Sequence, residues 1–319
     1  MGRQTKIWLI TAAILILVGC IIWGGMMMVL RWDFEKLSTV KFETNNHLID
    51  QDFKSICVKS DIVDIVFIAT QDEKASVICY EEKHAKHAVS VKNGTLMIEL
   101  VDTRKWYDYI GIISHDPEIT VLLPQQQYDT LTIQESTGDI EISQELSFEA
   151  IDISLSTGDV KNYASASSIQ IKATTGDIYT ENISADKVEL SVTTGDINAH
   201  SIACTGDLIV RVSTGDAQLT DVVCNILIST GSTGDITLQN VTAAESFSIK
   251  RSTGDVKFRS CDAGALKIET NTGSVTGSLL SEKIFITLTS TGKVDVPRFT
   301  TGGKCEITTS TGDIKITVD

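Results

Sequence analysis

The sequence contains little proline, few aromatic residues and fewer basic than acidic side chains. Only 3 Pro occur in 319 residues beside 22 Gly, which argues against Pro-rich linkers and favours tight, glycine-dependent turns. The 27 Lys and Arg stand against 42 Asp and Glu, a net charge of −15, so the surface should repel nucleic acids and anionic lipid head groups. With 42% hydrophobic residues the chain can still bury a core, so disorder is not expected.

Motifs for catalysis are also missing. The 5 His form no metal-binding spacing, and only His84 and His87 lie close together, in a Lys- and Glu-rich stretch that is typical of a solvated strand end. The segment Ser290 to Lys293 superficially resembles a phosphate-binding loop, but it lacks the upstream glycine and the following helix that such a loop requires. We therefore predict no catalytic residue, no bound cofactor and no enzymatic activity.

Between Ile7 and Leu30 the sequence has 24 residues without a charge. As a helix they would span ~36 Å, somewhat more than the ~30 Å hydrocarbon core of a bilayer. We predict a transmembrane helix at residues 7–30, a cytoplasmic tail at residues 1–6 and a short tether at residues 31–36.

The charges that flank this helix set its expected orientation. Two basic residues and the amino terminus precede it, whereas the basic residues after it are accompanied by acidic ones, which places residues 1–6 in the cytoplasm and the rest outside. A cleaved signal peptide is an alternative, but its apolar region is usually shorter than this one. The segment Leu17 to Cys20 resembles the lipobox of bacterial lipoproteins, although the apolar run continues past the Cys.

A Thr-Gly-Asp unit, usually preceded by Ser or Thr, recurs through the second half of the chain at intervals of 18 to 20 residues. Its glycine, followed in eight of the ten units by Asp, stands at Gly138, Gly158, Gly176, Gly195, Gly215, Gly234, Gly254, Gly273, Gly292 and Gly312. Apolar residues next to these units alternate with period two, as strands require. A repeat this short matches one coil of a parallel β-solenoid, in which successive coils stack ~4.8 Å apart.

The predicted fold class is therefore all-β, with a parallel β-solenoid of about ten short coils at residues 131–319. Each Thr-Gly-Asp unit would form a corner, where glycine supplies the positive φ. Residues 37–130 lack the repeat but still read as strands, and Asn93-Gly94 is a good hairpin turn. We expect this region to form an N-terminal β region that caps the solenoid.

Three expectations concern side chains within the coils. By strand parity, the Thr before each corner glycine should point inward. The apolar alternation slips by one residue before Gly234 and Gly292. Ile226 and Ile228 should carry the core ladder in the first case, and Ile284, Ile286 and Leu288 in the second, each with a local bulge. Cys204 and Cys224 lie one coil apart, and either a disulfide or two packed thiols is compatible with that spacing.

An acidic residue follows most of the corner glycines and forms the most informative surface pattern. The uninterrupted part of this row is Asp139, Asp159, Asp177, Asp196, Asp216, Asp235 and Asp255. Stacked carboxylates ~4.8 Å apart repel one another by ~0.9 kcal/mol per pair in water. Either each Asp accepts hydrogen bonds at its own turn, or divalent cations such as calcium bind along the row. The second interpretation makes these residues the candidate metal ligands.

The last strand also suggests a contact surface. Ile314, Ile316 and Val318 continue the ladder almost to the final residue, and no cap follows in the sequence. An uncapped coil offers unpaired backbone groups and apolar side chains. A protein partner, or a second copy of the solenoid, is therefore expected at this C-terminal edge.

The chain resembles a bacterial putative-adhesin β-solenoid family of unknown function that includes LiaG-like, membrane-anchored proteins. The resemblance rests on the segment Val121 to Pro124, which leads through Leu131-Thr132-Ile133 into the first Ser-Thr-Gly-Asp and then into short repeats. It covers roughly residues 38–319. It implies an envelope-associated protein, often linked with envelope stress, and it carries over no catalytic residue.

These observations predict a single-pass cell-membrane protein that presents an acidic β-solenoid outside the cytoplasm. Its expected role is that of a non-catalytic scaffold or interaction module. The alternative is an adhesin that binds surfaces or glycans, and the third reading is a polysaccharide-cleaving β-helix enzyme. No nucleic-acid partner is expected.

Overall fold

The computed structural model describes residues 2–32, 40–106 and 116–319. It is 67% β and contains a β-solenoid of about nine turns, an N-terminal β region and one helix. The elements are α1 (Arg3–Val29), β1 (Phe42–Leu48), β2 (Ser55–Lys59), β3 (Asp64–Thr70), β4 (Ser76–Glu82), β5 (Ala85–Lys92), β6 (Thr95–Asp102), β7 (Glu118–Pro124), β8 (Gln127–Thr137), β9 (Ile140–Ile142), β10 (Ser147–Thr157), β11 (Val160–Asn162), β12 (Ser165–Thr175), β13 (Ile178–Ala185), β14 (Lys187–Thr194), β15 (Ile197–Cys204), β16 (Asp207–Thr214), β17 (Ala217–Thr233), β18 (Ile236–Thr253), β19 (Val256–Thr272), β20 (Val275–Leu279), β21 (Lys283–Thr291), β22 (Val294–Asp295), β23 (Gly303–Thr311) and β24 (Ile314–Val318).

The helix α1 contains the uncharged run except for its last residue, Leu30. Among the described residues, it is the one helix long and apolar enough to cross a membrane. Its most apolar stretch of 18 residues is not buried against the rest of the protein. Long apolar side chains such as Trp8 and Leu15 are exposed along it. Most of the predicted tether, residues 33–36, lies outside the described residues.

The solenoid forms by parallel pairing of each coil with the next, as the repeat predicts. Ile151 pairs with Leu131 on one side and with Ile169 on the other, so equivalent apolar residues stack into ladders. All three are buried. The alternating pattern of the sequence therefore becomes a narrow aliphatic core, with polar residues on the outer face of each strand.

Glycine is needed at the corners because neighbouring coils approach there. Nine of the ten corner glycines have φ between 121° and 150°, a region that L side chains rarely adopt. A Cβ atom on Gly195 would also lie 2.1 Å from the carbonyl oxygen of Gly176 in the adjacent coil. At Gly292 the φ is not in this region, but a Cβ there would lie 2.0 Å from the carbonyl oxygen of Gly312.

The N-terminal β region contributes a coil of its own. Strands β2 and β3 stack in parallel on β8 and β9, and β6 and β7 pair in parallel on the far side of β2 and β3. The strands β5, β4 and β1 then add in antiparallel orientation. Asn93 and Gly94 have φ of 52° and 75° in the β5–β6 turn, which confirms the predicted hairpin.

The last two coils are not stacked in chain order. Strand β23 pairs with β19 on one side and β21 on the other, and β24 likewise lies between β20 and β22. The coil that contains Gly312 is thus inserted before the coil that contains Gly292. The predicted C-terminal edge is therefore wrong, because Ile314 and Ile316 are buried between two coils.

Two side-chain expectations are also wrong. The Thr before each corner glycine, for example Thr157 or Thr194, is exposed. The alternation of buried and exposed residues ends two positions earlier, since Ser156 and Thr157 are both exposed after the buried Leu155.

Before Gly234, Leu227 is buried, and Ile226 and Ile228 are not. The register of β17 against β18 shifts between Cys224 and Ile226. This irregularity puts Leu227 in the inward position that an apolar residue holds in the other coils. Before Gly292, the predicted ladder of Ile284, Ile286 and Leu288 is likewise wrong: all three are exposed, because Phe285 and Thr287 hold the inward positions, in register with the buried Cys305 and Ile307.

Candidate functional site

The terminal coil of the stack consists of β21 and β22, at the opposite end from the N-terminal β region. Among the described strands, β21 pairs with β23 alone and β22 with β24 alone. One side of β21 therefore presents unpaired N–H and C=O groups, which is the arrangement that accepts an added strand.

The terminal coil also exposes apolar side chains on its outer face. Ile284, Ile286 and Leu288 are exposed by 42%, 51% and 63% of their surface. In the adjacent coil, the outward residue beside Ile286 is Glu306, so the apolar outer face is confined to the end of the stack. Large exposed apolar groups of this kind mark contact surfaces.

An open cavity lies next to this strand. It has a volume of about 570 Å³ and is lined by Phe285, Thr287, Val294, Val296, Pro297, Arg298 and Phe299. Its walls are the inward residues of β21 and β22 and the loop between β22 and β23. Between two coils in the middle of the stack, apolar side chains of the neighbouring coil fill the equivalent space.

The terminal segment, residues 283–304, differs in charge from the rest of the chain. It contains Lys283, Lys293, Arg298 and Lys304 but only Asp295 as an acidic residue, within a protein of net charge −15. The Lys283 ammonium is buried and lies 2.6 Å from the Asp262 carboxylate. Burial opposes ionisation of Asp262, but hydrogen bonds from Lys283 and Ser281 outweigh it and lower the pKa of this carboxyl.

The acidic row runs along the corners as a hydrogen-bonded ladder between coils. The Oδ1 atom of Asp139 accepts a hydrogen bond of 2.8 Å from the backbone amide of Asp159, and the same contact recurs at each step to Asp255. Asp64 begins the ladder below Asp139, although it follows no glycine. Each carboxylate thus bonds to the neighbouring coil rather than to its own turn.

A buried polar cluster lies in the N-terminal β region, where the sequence predicted a solvated strand end. His87 is 5% exposed and Glu81 is 1% exposed, whereas His84 is exposed as expected. The Nδ1 atom of His87 lies 2.9 Å from Oε2 of Glu81, and its Nε2 atom lies 2.7 Å from Oγ of Ser60. The interpretation of His87 as solvated is therefore wrong.

Glu135 lies close to this cluster, one coil further along. It replaces an apolar residue of the core ladder, since it pairs in register with Leu155. Burial raises the pKa of its carboxyl to about 8, and the backbone amides of Thr137 and Val63 offset only part of that effect. The protonated, neutral form is therefore the dominant one at pH 7.

The cysteines form no disulfide. All seven are free, and Cys204 and Cys224 are buried in neighbouring coils. Their Sγ atoms lie near backbone carbonyl oxygens, at 3.5 Å from Asp186 O for Cys204 and 3.8 Å from Thr242 O for Cys224. They pack as small hydrophobic residues with a weak donor.

The chain is similar to several solved structures. A putative adhesin from Bacteroides fragilis is 15% identical, with a TM-score of 0.44, and the match covers 87% of this chain and 97% of that one. A putative adhesin from Parabacteroides merdae is 12% identical, with a TM-score of 0.49, and the match covers 76% of this chain and 98% of that one. No curated protein matches the sequence.

The family model described as Toastrack DUF4097 matches residues 53–207 and 203–319. The two matches together span the solenoid and most of the N-terminal β region. They agree with the family resemblance that the Thr-Gly-Asp corners indicate. The chain therefore belongs to the Toastrack DUF4097 family.

Proposed function

We propose that this protein is a non-catalytic, membrane-anchored interaction module of the bacterial cell envelope, with its solenoid outside the cytoplasm. The terminal coil is the observation that carries the proposal. It combines an unpaired strand edge, exposed apolar side chains and an open cavity at one end of the stack. These are the features that β-strand addition uses.

The occupant is an extended acidic segment of another protein that also carries apolar side chains. Strand addition would pair the free backbone groups of β21, and apolar side chains of the partner would cover Ile286 and Phe285. Lys283 is buried against Asp262 and Lys304 pairs with Glu306, but Lys293 and Arg298 outnumber Asp295 on the terminal coil and favour an acidic partner. For the same reason two copies meeting end to end would bring like charges together.

Site-specific photocrosslinking in native membranes tests the binding surface. A photoreactive residue at Ile286 should give a discrete adduct with a second protein, and raised salt should weaken it. Val223, which is 60% exposed on the solenoid wall, is the matched control position. Identical adducts at both positions, or none at either, would argue against the terminal coil as the binding surface. Adducts between two copies of this protein would show self-association in place of an acidic partner.

Protease accessibility tests the orientation. A protease added to intact spheroplasts should degrade or release the region after Leu30, because the flanking charges favour its location outside the cytoplasm. Protection in sealed cells, followed by cleavage after lysis, would reverse the proposed topology.

An adhesin is the second candidate, and the exposed threonines favour it. Ser156, Thr174 and Thr193, each two residues before a corner glycine, are exposed and line a shallow groove of about 530 Å³. Glycans bind through hydroxyl groups of this kind. The triple variant Ser156→Ala, Thr174→Val and Thr193→Val keeps most of the groove's shape and removes these hydroxyls, so it should lose binding to cell-surface polysaccharide only if this second function applies.

A further inference from the structure

The buried cluster in the N-terminal β region contains three potential metal ligands, and the proposed function uses none of them. One ligand atom from each of Cys79, Glu81 and His87 lies within 4.8 Å of the others, and all three residues are buried. Cys79 and Glu81 stand two residues apart on β4, so they point to the same face of the sheet. His87 reaches the same point because β5 folds back on β4.

The cluster is held in place by a second layer of hydrogen bonds. The Nδ2 atom of Asn45 donates to Oε1 of Glu81 at 2.8 Å, which leaves Oε2 turned towards His87. On the other side of the imidazole, Ser60 Oγ lies 2.7 Å from Nε2. Outer partners of this kind fix the orientation of metal ligands in known sites.

We propose that Cys79 Sγ, Glu81 Oε2 and His87 Nδ1 bind a divalent transition metal ion of the zinc type. Thiolate, imidazole and carboxylate are the ligand set that Zn²⁺ takes in proteins. On binding, the Cys79 thiol releases its proton to solvent, and the imidazole proton moves from Nδ1 to Nε2, where it can be donated to Ser60 Oγ. Each of the three ligands then offers a lone pair to the metal.

Access to the site is provided by an adjoining cavity. It has a volume of about 220 Å³, and Glu81 and His87 form part of its wall together with Leu100 and Arg104. Water from this cavity would complete a tetrahedral site as the fourth ligand. Three protein ligands and one water are the arrangement of zinc sites that keep an open position.

Cobalt substitution of the full-length protein in detergent tests the site directly. Co²⁺ added to the metal-free protein should give tetrahedral absorption bands together with a thiolate-to-cobalt charge-transfer band, and Zn²⁺ should displace it at one equivalent. Cys79→Ser should remove the charge-transfer band, and His87→Gln and Glu81→Gln should weaken Zn²⁺ binding by tenfold or more. Ser60→Ala should weaken binding by about tenfold through loss of the outer hydrogen bond.

Matched controls keep the test independent of folding. His84→Gln removes an exposed histidine of the same hairpin, and Cys57→Ser removes a half-buried thiol of β2, so both should bind Zn²⁺ as the wild type does. The cobalt spectrum of the wild type tests the site without any substitution, so it does not depend on whether a variant folds. Absence of the thiolate band, or equal binding by the site variants and the controls, would overturn the proposal. Covalent labelling of Ser60 by a fluorophosphonate without metal binding would instead assign the Ser60, His87 and Glu81 arrangement to acyl transfer.

Discussion

Arg251 occupies the space that Gly231 leaves open in the neighbouring coil. A Cβ atom on Gly231 would lie 1.7 Å from Nη1 of Arg251. The guanidinium is buried, reaches Ser229 Oγ at 3.5 Å and Val212 O at 3.4 Å, and its Nε atom has no hydrogen-bond partner. Burial lowers the pKa of Arg251, although Asp216 and Asp235 partly offset this effect.

Replacing this buried cation should stabilise the solenoid. Arg251→Met keeps a long side chain beside Gly231 and removes the desolvation penalty, so we expect the free energy of unfolding to rise by about 1 to 4 kcal/mol. Thermal unfolding compares it with Lys250→Met, which changes an exposed charge on the outer face and should have little effect. A lower melting temperature for Arg251→Met would show that the two long hydrogen bonds of Arg251 outweigh the desolvation penalty of its guanidinium.

The corner glycines should tolerate no side chain. Gly195→Ala adds both a strained φ and a Cβ that lies 2.1 Å from Gly176 O, so the loss of stability should exceed about 2 kcal/mol. Gly94→Ala is the matched control, because Gly94 has a φ of 75° but no atom within 4 Å of its Cβ position. It should cost only about 1 kcal/mol. Equal losses in denaturant unfolding would mean that the close approach between coils adds nothing.

Glu135 should make the stability of the solenoid depend on pH. Its pKa is about 8 in the folded protein against an ordinary value of 4.5, so the folded state holds a proton that the unfolded state has released between these values. The stability should therefore fall as pH rises from about 4.5 to about 8, by more than about 1 kcal/mol. Glu135→Gln should unfold at the same temperature as the wild type near pH 4 and at a higher one at pH 9. Glu141→Gln, an exposed control, should follow the wild type at both pH values.

The acidic row should carry a measurable repulsion. Asn keeps the side-chain oxygen that accepts the amide of the next coil but removes the charge, and each neighbouring pair of charges costs ~0.9 kcal/mol in water. Asp196→Asn with Asp216→Asn should therefore raise the melting temperature at low salt and lose this advantage at high salt. Alanine at the same two positions should lower it, because the amides of Asp216 and Asp235 lose their acceptors.

Calcium gives a separate test of the same row. If cations bind between the stacked carboxylates, millimolar calcium should raise the melting temperature of the wild type. The gain should be smaller for Asp196→Asn with Asp216→Asn. A wild type that does not respond to calcium would leave the hydrogen-bonded ladder as the whole role of these residues.

The solenoid could be predicted from the sequence because glycine and the apolar ladder recur at one period, and each has a direct physical cause. The order of the last two coils could not. Gly292 and Gly312 are separated by an ordinary 20 residues, since the shortness of β22 is made up by the loop that follows it. One signal was present: Pro297, which cannot donate to a ladder, stands where the sequence would otherwise continue a strand.

The candidate sites were predicted less well, for reasons of pairing. The charged residues around His87 gave the pattern of a solvated strand, and only the fold of β5 onto β4 brings its ring to Glu81 and Cys79. Likewise, an alternating strand such as β21 does not reveal which side of it stays unpaired. Local patterns report periodicity, whereas both sites depend on which strands pair with one another.

The inserted coil also affects the order in which the protein can fold. Residues 283–295 are synthesised before residues 303–318, and at that stage the free sides of β19 and β20 can pair with them in parallel register. The native stack instead has β23 and β24 in that place, so any early pairing of β21 and β22 must first be broken. Exchange of one coil for another is slow compared with the simple addition of a coil, because a formed ladder is lost before a new one is gained. We therefore expect a slow final phase in the refolding of this protein. That phase should be absent when residues 283–302 are deleted.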